Sequence, residues 1–341
     1  MKKIFALVLC LAVMLSLVSC GKEEYTLGMG VVVSTASSKT GTAQVDATVA
    51  AVVTDANGVI VACRIDVAQN KMNVADGAVE ADKTFETKRE LGDRYGMAGK
   101  VDNDNDKVML EWYEQVNVFE QYVVGMTADE VASIRTQLVG GHHIATDKDL
   151  LNAGCSMQIT DFIEAVVKAC DDRQAVAFKA NPKKMTLGVA ANTVANESVA
   201  ATAEADGTVK MYSDFACAVV VKGKIVASLN DAIQPNITIN TAGEIVSTSY
   251  TNTKRELRYG YHMAGVVDAN NDTVMLEWFE QSAAFSAHVV GMTGEQVANM
   301  ATEANFLGYQ MTTDADLLAA GCTIQITAIK AVVAEAVANA R

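Results

Sequence analysis

Two copies of a short Gly-Cys-hydroxyl tripeptide are the residues of this chain with the clearest chemical use. We expect each copy to stand directly before a helix, where a glycine turn and a helix N-terminus together offer backbone N–H groups and a favourable dipole to a phosphate. The structural alternative is a tight turn, a core cysteine and a local cap, and the residue types alone favour that alternative. The members are Gly154, Cys155 and Ser156 in the first copy, and Gly321, Cys322 and Thr323 in the second.

A pair of glutamates beside a tryptophan also occurs twice. Two carboxylates can do acid–base work, but three residues apart on a helix they are more typical of a solvated face beside a buried tryptophan. We therefore interpret these glutamates as structural. They are Glu111 and Glu114 around Trp112, and Glu277 and Glu280 around Trp278.

Candidate metal ligands are few. The loop DNDND at 102–106 recurs as DANND at 268–272, and its oxygens suit calcium, but neither copy has the glycine or terminal glutamate of an EF-hand. Asn and Asp are also typical of turns, which is the interpretation we favour. His142 and His143 have no counterpart in the second copy, and adjacent side chains point apart on a strand or helix, so a surface loop is expected there. The sequence predicts no metal site.

Several function classes are excluded by motif and charge. The chain has no P-loop, HExxH or GxSxG motif, and neither copy supplies a nucleophile with a matching base, which argues against a hydrolase. The formal net charge of −14 makes nucleic acid a poor partner.

The N-terminus has the pattern of an export signal. Lys2 and Lys3 precede the apolar run 4–18, which is short for a membrane span, and small residues lead to Cys20. The sequence LVSC resembles the bacterial lipobox, in which the cysteine becomes the lipidated first residue after cleavage. We therefore expect residues 1–19 to be a signal peptide, Cys20 to be lipidated, and the rest to lie outside the cell membrane, anchored to its outer face.

An internal repeat organises the remaining chain. TKREL at 87–91 returns at 253–257, and MLEWYEQ at 109–115 returns as MLEWFEQ at 275–281, both at an offset of 166. DLLNAGCSMQIT at 149–160 returns one residue later as DLLAAGCTIQIT. We predict a tether at 20–24, a first domain at 25–172, a linker at 173–184 and a second domain at 185–341.

Each repeat predicts strands followed by helices. AAVV and VIVA flank DANG in the first repeat, and KG divides CAVVVKGKIVA in the second, so each predicts a hairpin. Asp66 and Gln69 are placed after the second strand. The predicted fold class is α+β, with a small antiparallel sheet packed against helices in each domain.

The expected helices follow from apolar spacing and caps. The segment 111–124 spaces Trp112, Val116, Phe119 and Val123 as on one helix face. Thr127 and Glu130 form a capping box for the next helix. Thr160 and Thr327 are predicted N-caps of the last helices, and Ile163, Val166 and Val167 the buried face of the first of these.

The cysteines predict buried free thiols. Beyond Cys10 and Cys20 they are odd in number and form no CxxC pair, which is not typical of a disulfide framework. We interpret this as a sign of a reducing or anoxic habitat. They are Cys63, Cys155, Cys170, Cys217 and Cys322.

The order of these motifs resembles the FMN-binding domain found in the sodium-pumping NADH:quinone reductase and in Gram-positive lipoproteins of extracellular electron transfer. The matching stretches are GVIVA and GKIVA, ELGDRYG and ELRYGYH, FEQYVVGMT and FSAHVVGMT, and DLLNAGCS and DLLAAGCT. In that family a flavin transferase attaches FMN by a phosphoester to the last residue of the motif SGAT. Here the aligned tetrapeptides are AGCS and AGCT, which keep the glycine and the hydroxyl.

The resemblance implies one FMN site in each repeat, with Ser156 and Thr323 as acceptors, Thr323 the better candidate, and Cys155 and Cys322 beside the flavin. It also implies a membrane-anchored electron carrier with a quinone-linked redox partner. The alternative is a flavin-free surface lipoprotein that binds a small ligand or a protein partner. In that case TKREL, Tyr95 or Tyr259 and their neighbours, and Trp112 or Trp278 would mark the binding groove.

Overall fold

The computed structural model describes residues 23–101, 108–250, 252–267 and 274–341. The lipobox with Cys20 and the loops 102–106 and 268–272 lie outside these described residues. No described helix combines the length and the apolar character that crossing a bilayer requires.

In the first repeat, strands precede and interrupt short helices. The strands up to the start of the second repeat are β1 (Glu23–Ser34), β2 (Thr42–Asp55), β3 (Ile60–Asn73), β4 (Thr136–Val139), β5 (His142–Ala145) and β6 (Val176–Ala180). The helices are α1 (Lys88–Leu91), α2 (Trp112–Tyr122), α3 (Ala128–Ala132), α4 (Lys148–Asn152) and α5 (Thr160–Cys170).

The second repeat has the same helix order. Its strands are β7 (Met185–Val194), β8 (Gly207–Lys210), β9 (Tyr212–Val221), β10 (Lys224–Ile233), β11 (Asn236–Ile239), β12 (Ile245–Ser249), β13 (Thr302–Ala304) and β14 (Gln310–Thr312). Its helices are α6 (Lys254–Leu257), α7 (Trp278–His288), α8 (Gly294–Ala298), α9 (Ala315–Ala319) and α10 (Thr327–Ala338).

The strands form small antiparallel sheets, and the predicted α+β class is confirmed. One sheet has the order β3-β2-β1-β6, another β10-β9-β7, and a third β12-β11-β8, while β4-β5 and β13-β14 are separate hairpins. Both predicted hairpins are present as β2-β3 and β9-β10. The second closes through Lys222 and Gly223, whose φ angles of 51° and 76° suit a two-residue hairpin turn of the primed type.

The sheets β3-β2-β1-β6 and β10-β9-β7 bury both faces. Along β2, Val45 and Val49 lie in a core that also contains Phe215 of the second repeat, whereas Ala50 and Val52 pack under the helices of the first repeat. Strand β9 alternates in the same way between the shared core and the helices of its own repeat. Side chains on a strand point alternately to its two faces, so strands buried on both faces are continuously apolar. The result is two sheets packed on each other, with helices outside each.

Glycine permits the closest approach of helix to sheet. A Cβ on Gly28 of β1 would lie 1.9 Å from the carbonyl oxygen of Ala169 in α5, and a Cβ on Gly188 of β7 would lie 1.8 Å from that of Ala336 in α10. A Cβ atom cannot lie this close to a carbonyl oxygen. Each strand can therefore approach its helix this closely only because glycine has no side chain. This contact accounts for the recurrence of TLG at 26–28 and 186–188.

Strand bounds differ from expectation in two places. Strand β3 continues past the predicted end, and Asp66 and Gln69 lie within it, paired with Val49 and Asp46. The segment 173–184 contains β6, whose Phe178 pairs with Tyr25 of β1. A lone short apolar run carries no periodicity that would reveal a fourth strand of a sheet.

The predicted helix starts and the predicted buried helix face are confirmed in part. The capping box of Thr127 and Glu130 is confirmed. Helices α5 and α10 begin at Thr160 and Thr327 themselves, with Ile159 and Ile326 as N-caps that make no side-chain cap bond. The buried face of α5 comprises Phe162, Ala165, Val166 and Ala169, so of the residues predicted for this face only Val166 is fully buried, while Ile163 and Val167 lie at its margin.

Candidate functional site

The Gly-Cys-hydroxyl tripeptides form tight turns between two helices. Gly154 has φ of 108° and Gly321 has φ of 88°, both in the region that favours glycine. A Cβ at either position would also meet a leucine at 2.4 Å, Leu110 in the first repeat and Leu276 in the second. These two constraints explain why both repeats have glycine here.

A buried glutamine on the aromatic helix holds each turn. The N–H groups of Ser156 and Met157 donate to Oε1 of Gln115 at 3.0 and 3.2 Å, and the N–H of Thr323 donates to Oε1 of Gln281 at 2.7 Å. Helix α5 begins four residues after Ser156, not directly after it. The N–H groups expected to receive a phosphate are therefore engaged by glutamine, whose role the sequence reasoning missed although it recurs within MLEWYEQ and MLEWFEQ.

The paired glutamates have structural tasks, but their setting differs from expectation. Glu111 is 1% exposed, so it does not lie on a solvated face. It caps α2 and accepts N–H groups from Met97, Ala98 and Trp112, while Glu114 completes the capping box. Burial raises the pKa of Glu111, but the backbone donors outweigh burial and leave that pKa below its usual value.

The second repeat repeats this arrangement. Glu277 accepts N–H groups from Met263, Ala264 and Trp278, and its pKa is likewise lowered because these donors outweigh burial. A carboxylate held ionised by fixed backbone donors is a poor proton carrier. Its effect is to fix the loop that precedes the aromatic helix.

The basic residues of TKREL separate into two roles. Lys88 Nζ lies 5.0 Å from the ring centre of Tyr95 and 5.4 Å from that of Trp112, and Lys254 has the same relation to Tyr261 at 5.0 Å and Trp278 at 5.3 Å. The structural counterpart of Tyr95 is thus Tyr261, whereas Tyr259 is 60% exposed and packs on Phe279.

The arginines pair with acidic groups. Arg89 forms an ion pair with Glu120 on α2, and Arg255 pairs with Asp172 at 2.9 Å. The arginines of this motif thus have acidic neighbours. The lysines retain ammonium groups that face aromatic rings.

A cavity of about 450 Å³ opens beside Thr323. Its walls come from the loop before α7, from α7 itself, from the hairpin β13-β14 and from the turn at Thr323. The lining residues are Lys254, Tyr261, Met263, Val267, Met275, Trp278, Asn305, Leu307, Tyr309, Met311, Thr323, Ile324 and Gln325. The volume lies within the range typical of small-molecule sites, roughly 300–1,000 Å³.

The chemistry of this cavity is mainly aromatic and thioether, with one cation. Thr323 is 9% exposed, and its hydroxyl donates to Oε1 of Gln281 at 3.3 Å. Lys254 is the cationic residue of the lining. Because Leu307 and Tyr309 are largely exposed at the hairpin tip, one wall of the cavity is formed by a surface loop.

The corresponding residues of the first repeat keep the same core geometry. Lys88, Tyr95 and Trp112 match the cation and rings of the second repeat, and Ser156 is also 9% exposed. The local hairpin differs, since β4-β5 carries Leu138 and His142 near its turn. The two repeats thus share the frame of the site and differ in the loop that borders it.

The cysteines of the tripeptides belong to the cores. Cys155 and Cys322 are fully buried, and burial raises their pKa values to about 12 and about 11. Cys63 and Cys217 are also buried free thiols, and Cys170 is partly buried, as predicted. A thiol kept protonated inside a core is unreactive.

The histidines form no metal site among the described residues. His142 and His143 lie exposed on strand β5 rather than in a loop. Across the described ranges, no three His, Cys, Asp or Glu side chains come together as a metal would require.

Comparison of the chain with protein-family models, with curated proteins and with solved structures found no match.

Proposed function

We propose that this chain is an exported, lipid-anchored electron carrier whose second repeat holds an FMN-type cofactor in the cavity at Thr323. The observation that carries the proposal is the opening of a hydroxyl, an aromatic wall and a single ammonium group onto one cavity of about 450 Å³. Aromatic surfaces and an ammonium group suit an anionic aromatic ligand, and the hydroxyl offers a point for its covalent attachment. Bound FMN would supply electron transfer, and the protein would set its position and electrostatics.

The residues of the cavity divide the task of holding such a ligand. Trp278, Tyr261 and the methionines offer flat and polarisable surfaces to a ring system. Lys254 would pair with the phosphate, and Thr323 offers the oxygen through which a flavin transferase would attach it. The N–H of Thr323 is not available to the phosphate because Gln281 accepts it.

Absorbance of protein produced in its own host tests this proposal. We expect a yellow protein whose flavin fluorescence persists on a denaturing gel and disappears in Thr323→Ala. Thr323→Ser is the matched control, since it keeps the hydroxyl. A colourless protein with the mass of the bare polypeptide and its lipid would refute the flavin.

Lys254→Gln examines the ammonium group separately. We expect it to weaken binding of added FMN to Thr323→Ala protein about tenfold or more, because a charge-assisted contact with the phosphate is lost. Lys224→Gln, at an exposed position of β10, serves as the charge-matched control. Equal affinity in the two variants would remove Lys254 from the site.

A flavin-free binding protein is the second candidate, favoured by the glutamine that occupies the N–H of Thr323. In this case the cavity binds another small molecule or a partner at the cell surface. A colourless protein whose melting temperature rises with a ligand, and no longer rises in Trp278→Ala, would support it.

A further inference from the structure

A second cavity, of about 410 Å³, lies on the other side of the aromatic helix of the second repeat. We call it the α7 groove. It runs between α7, the edge strand β10 and strand β6, and its apolar walls include Phe178, Leu229 and Phe279. Arg255 and Ser286 contribute polar groups to the same groove. It shares no lining residue with the cavity at Thr323.

In the first repeat a carboxylate stands at the equivalent place, beside a smaller cavity of about 180 Å³ that is lined by Arg64, Arg89 and Arg341 among others. Glu120 stands at the position of Ser286, and Arg64 at that of Leu229. The Glu120 carboxylate is 2% exposed and accepts the N–H of Ile65 at 2.6 Å. It pairs with Arg89, the counterpart of Arg255, and with Arg64 at 3.3 Å. The chain thus contains an internal example of a carboxylate bound at this position.

In the second repeat the carboxylate is missing and the arginine remains. Ser286 is too short to replace it, and its Oγ accepts a hydrogen bond from Asn230 at 2.9 Å. Arg255 is 5% exposed. Its Nη2 donates to the carboxylate of Asp172 and to the carbonyl oxygen of Gln174. Within the described residues, these are the hydrogen bonds of its guanidinium.

More of the guanidinium nitrogens of Arg89 than of Arg255 donate hydrogen bonds. The Nε, Nη1 and Nη2 of Arg89 donate to Ile65, Asn117 and Glu120 respectively. Arg255 therefore has donors, Nε and Nη1, that a bound carboxylate can use, and a charge-assisted hydrogen bond from such a donor is stronger than a neutral one.

We propose that the α7 groove binds an apolar monocarboxylate. Its carboxylate takes the place that Glu120 occupies in the first repeat and pairs with Arg255, and its apolar body lies against Phe178, Leu229 and Phe279. Arginine is well suited to this task because its planar donors match the two oxygens of a carboxylate.

The surrounding charges restrict the ligand to a single negative charge. Asp172 already neutralises part of Arg255, and the whole chain carries a net charge of −14. A phosphate or dicarboxylate would bring a second negative charge to an acidic protein, beside the already paired Arg255. The other cation of the lining, Lys179, is exposed to solvent, where an ion pair with a second charge contributes little.

Titration of the mature chain with octanoate and with octanamide tests the proposal directly. The two probes have the same shape and differ in charge, so we expect octanoate to bind at least about tenfold more tightly, as a charge-assisted hydrogen bond requires. Calorimetry below the micelle concentration gives both affinities. This comparison uses the unmodified protein and does not depend on the folding of any variant.

Ser286→Glu places the first repeat's own carboxylate in the groove. We expect this variant to lose octanoate binding at least tenfold, because the internal carboxylate occupies Arg255. Val246→Glu adds the same charge at an exposed site on β12 and should bind octanoate as the native chain does. Equal affinity for octanoate and octanamide, no binding of octanoate by the native chain, or native affinity in Ser286→Glu would each overturn the proposal.

Discussion

At the scale of single residues, the recurring EWYEQ and EWFEQ segments are explained by positioning. Glu111 fixes the preceding loop and caps the helix, and Glu114 completes the capping box. Trp112 is buried between Tyr95 and Phe162. Gln115 holds the turn that carries Ser156. The segment therefore positions the loop before the aromatic helix and the turn that carries the hydroxyl residue, and its tryptophan lies between them.

Gln281→Leu tests the most specific of these roles. The N–H of Thr323 would lose its acceptor inside the protein, which we expect to cost about 1–3 kcal/mol of the free energy of unfolding. Urea denaturation measures this loss. The same substitution at exposed Gln121 is the control and should change stability by less than about 0.5 kcal/mol. Equal effects at the two positions would contradict the bracing role.

The sequence predicted these residues unevenly. Ser156, Thr323 and the neighbouring glycines were found because they recur and because their types suggest chemistry. Gln115 and Gln281 recur as well, but a glutamine bonded to a turn 41 or 42 residues away leaves no local spacing signal. Long-range hydrogen bonds of this kind need the fold to be known.

At the scale of elements, the close approach of strand and helix through glycine decides how each sheet meets its last helix. Gly188 stands against the carbonyl oxygen of Ala336, where no side chain fits. Because α10 carries Thr327 at its start and follows Thr323 closely, displacement of this helix would also disturb the candidate site.

Gly188→Ala is therefore expected to lower the free energy of unfolding by about 1–3 kcal/mol or more, since the new Cβ forces strand and helix apart. Thermal unfolding and binding at the Thr323 cavity can be followed on the same sample. Gly260→Ala is the matched control, because a Cβ there meets no atom within 4 Å. A Gly188→Ala protein as stable as the control would show that the contact relaxes without cost.

Element types were more predictable than element bounds. The capping box of Thr127 and Glu130 and the hairpin turn at Lys222 and Gly223 have local causes, and the sequence predicted both. Strand β6 has no such signal, because a five-residue run becomes a strand only by pairing with β1. The extension of β3 through Asp66 likewise depends on its partner strand.

At the scale of the whole molecule, the last helix of each repeat contacts the other repeat in a reciprocal manner. Lys168 of α5 pairs with Glu256 at 3.2 Å. The equivalent contact brings Glu335 of α10 to Glu90 and Asp66. Burial, the charges of these two carboxylates and a hydrogen bond with Glu90 raise the pKa of Glu335 to about 7.

This contact predicts a pH dependence with a definite sign. The folded chain holds the Glu335 proton more tightly than the unfolded chain, so stability should fall as pH rises from about 4.5 to about 7. Glu335→Gln should therefore gain stability relative to the native chain between pH 5 and pH 8. Denaturation across this range measures the difference, with exposed Glu303→Gln as the control. Parallel curves for the native chain and Glu335→Gln would contradict the prediction.

The shared core makes a further prediction about fragments. Residues 185–341 alone would expose the face that carries Phe215 and Val219, which the first repeat covers in the intact chain. An exposed apolar sheet face promotes association, so we expect this fragment to self-associate or precipitate at micromolar concentration. Light scattering coupled to gel filtration measures the molar mass of the fragment in solution. A stable monomeric fragment would contradict the prediction.

The same shared core also has a consequence for how the two repeats can diverge. A duplicated unit that shares its core with its twin must keep the residues of the common face. The residues that line its outer grooves can change without loss of that core. The replacement of Glu120 by Ser286 and the different hairpins bordering Ser156 and Thr323 are changes of this outer kind. One repeat can thus act as the scaffold for the other, which leaves its partner free to acquire a separate specificity.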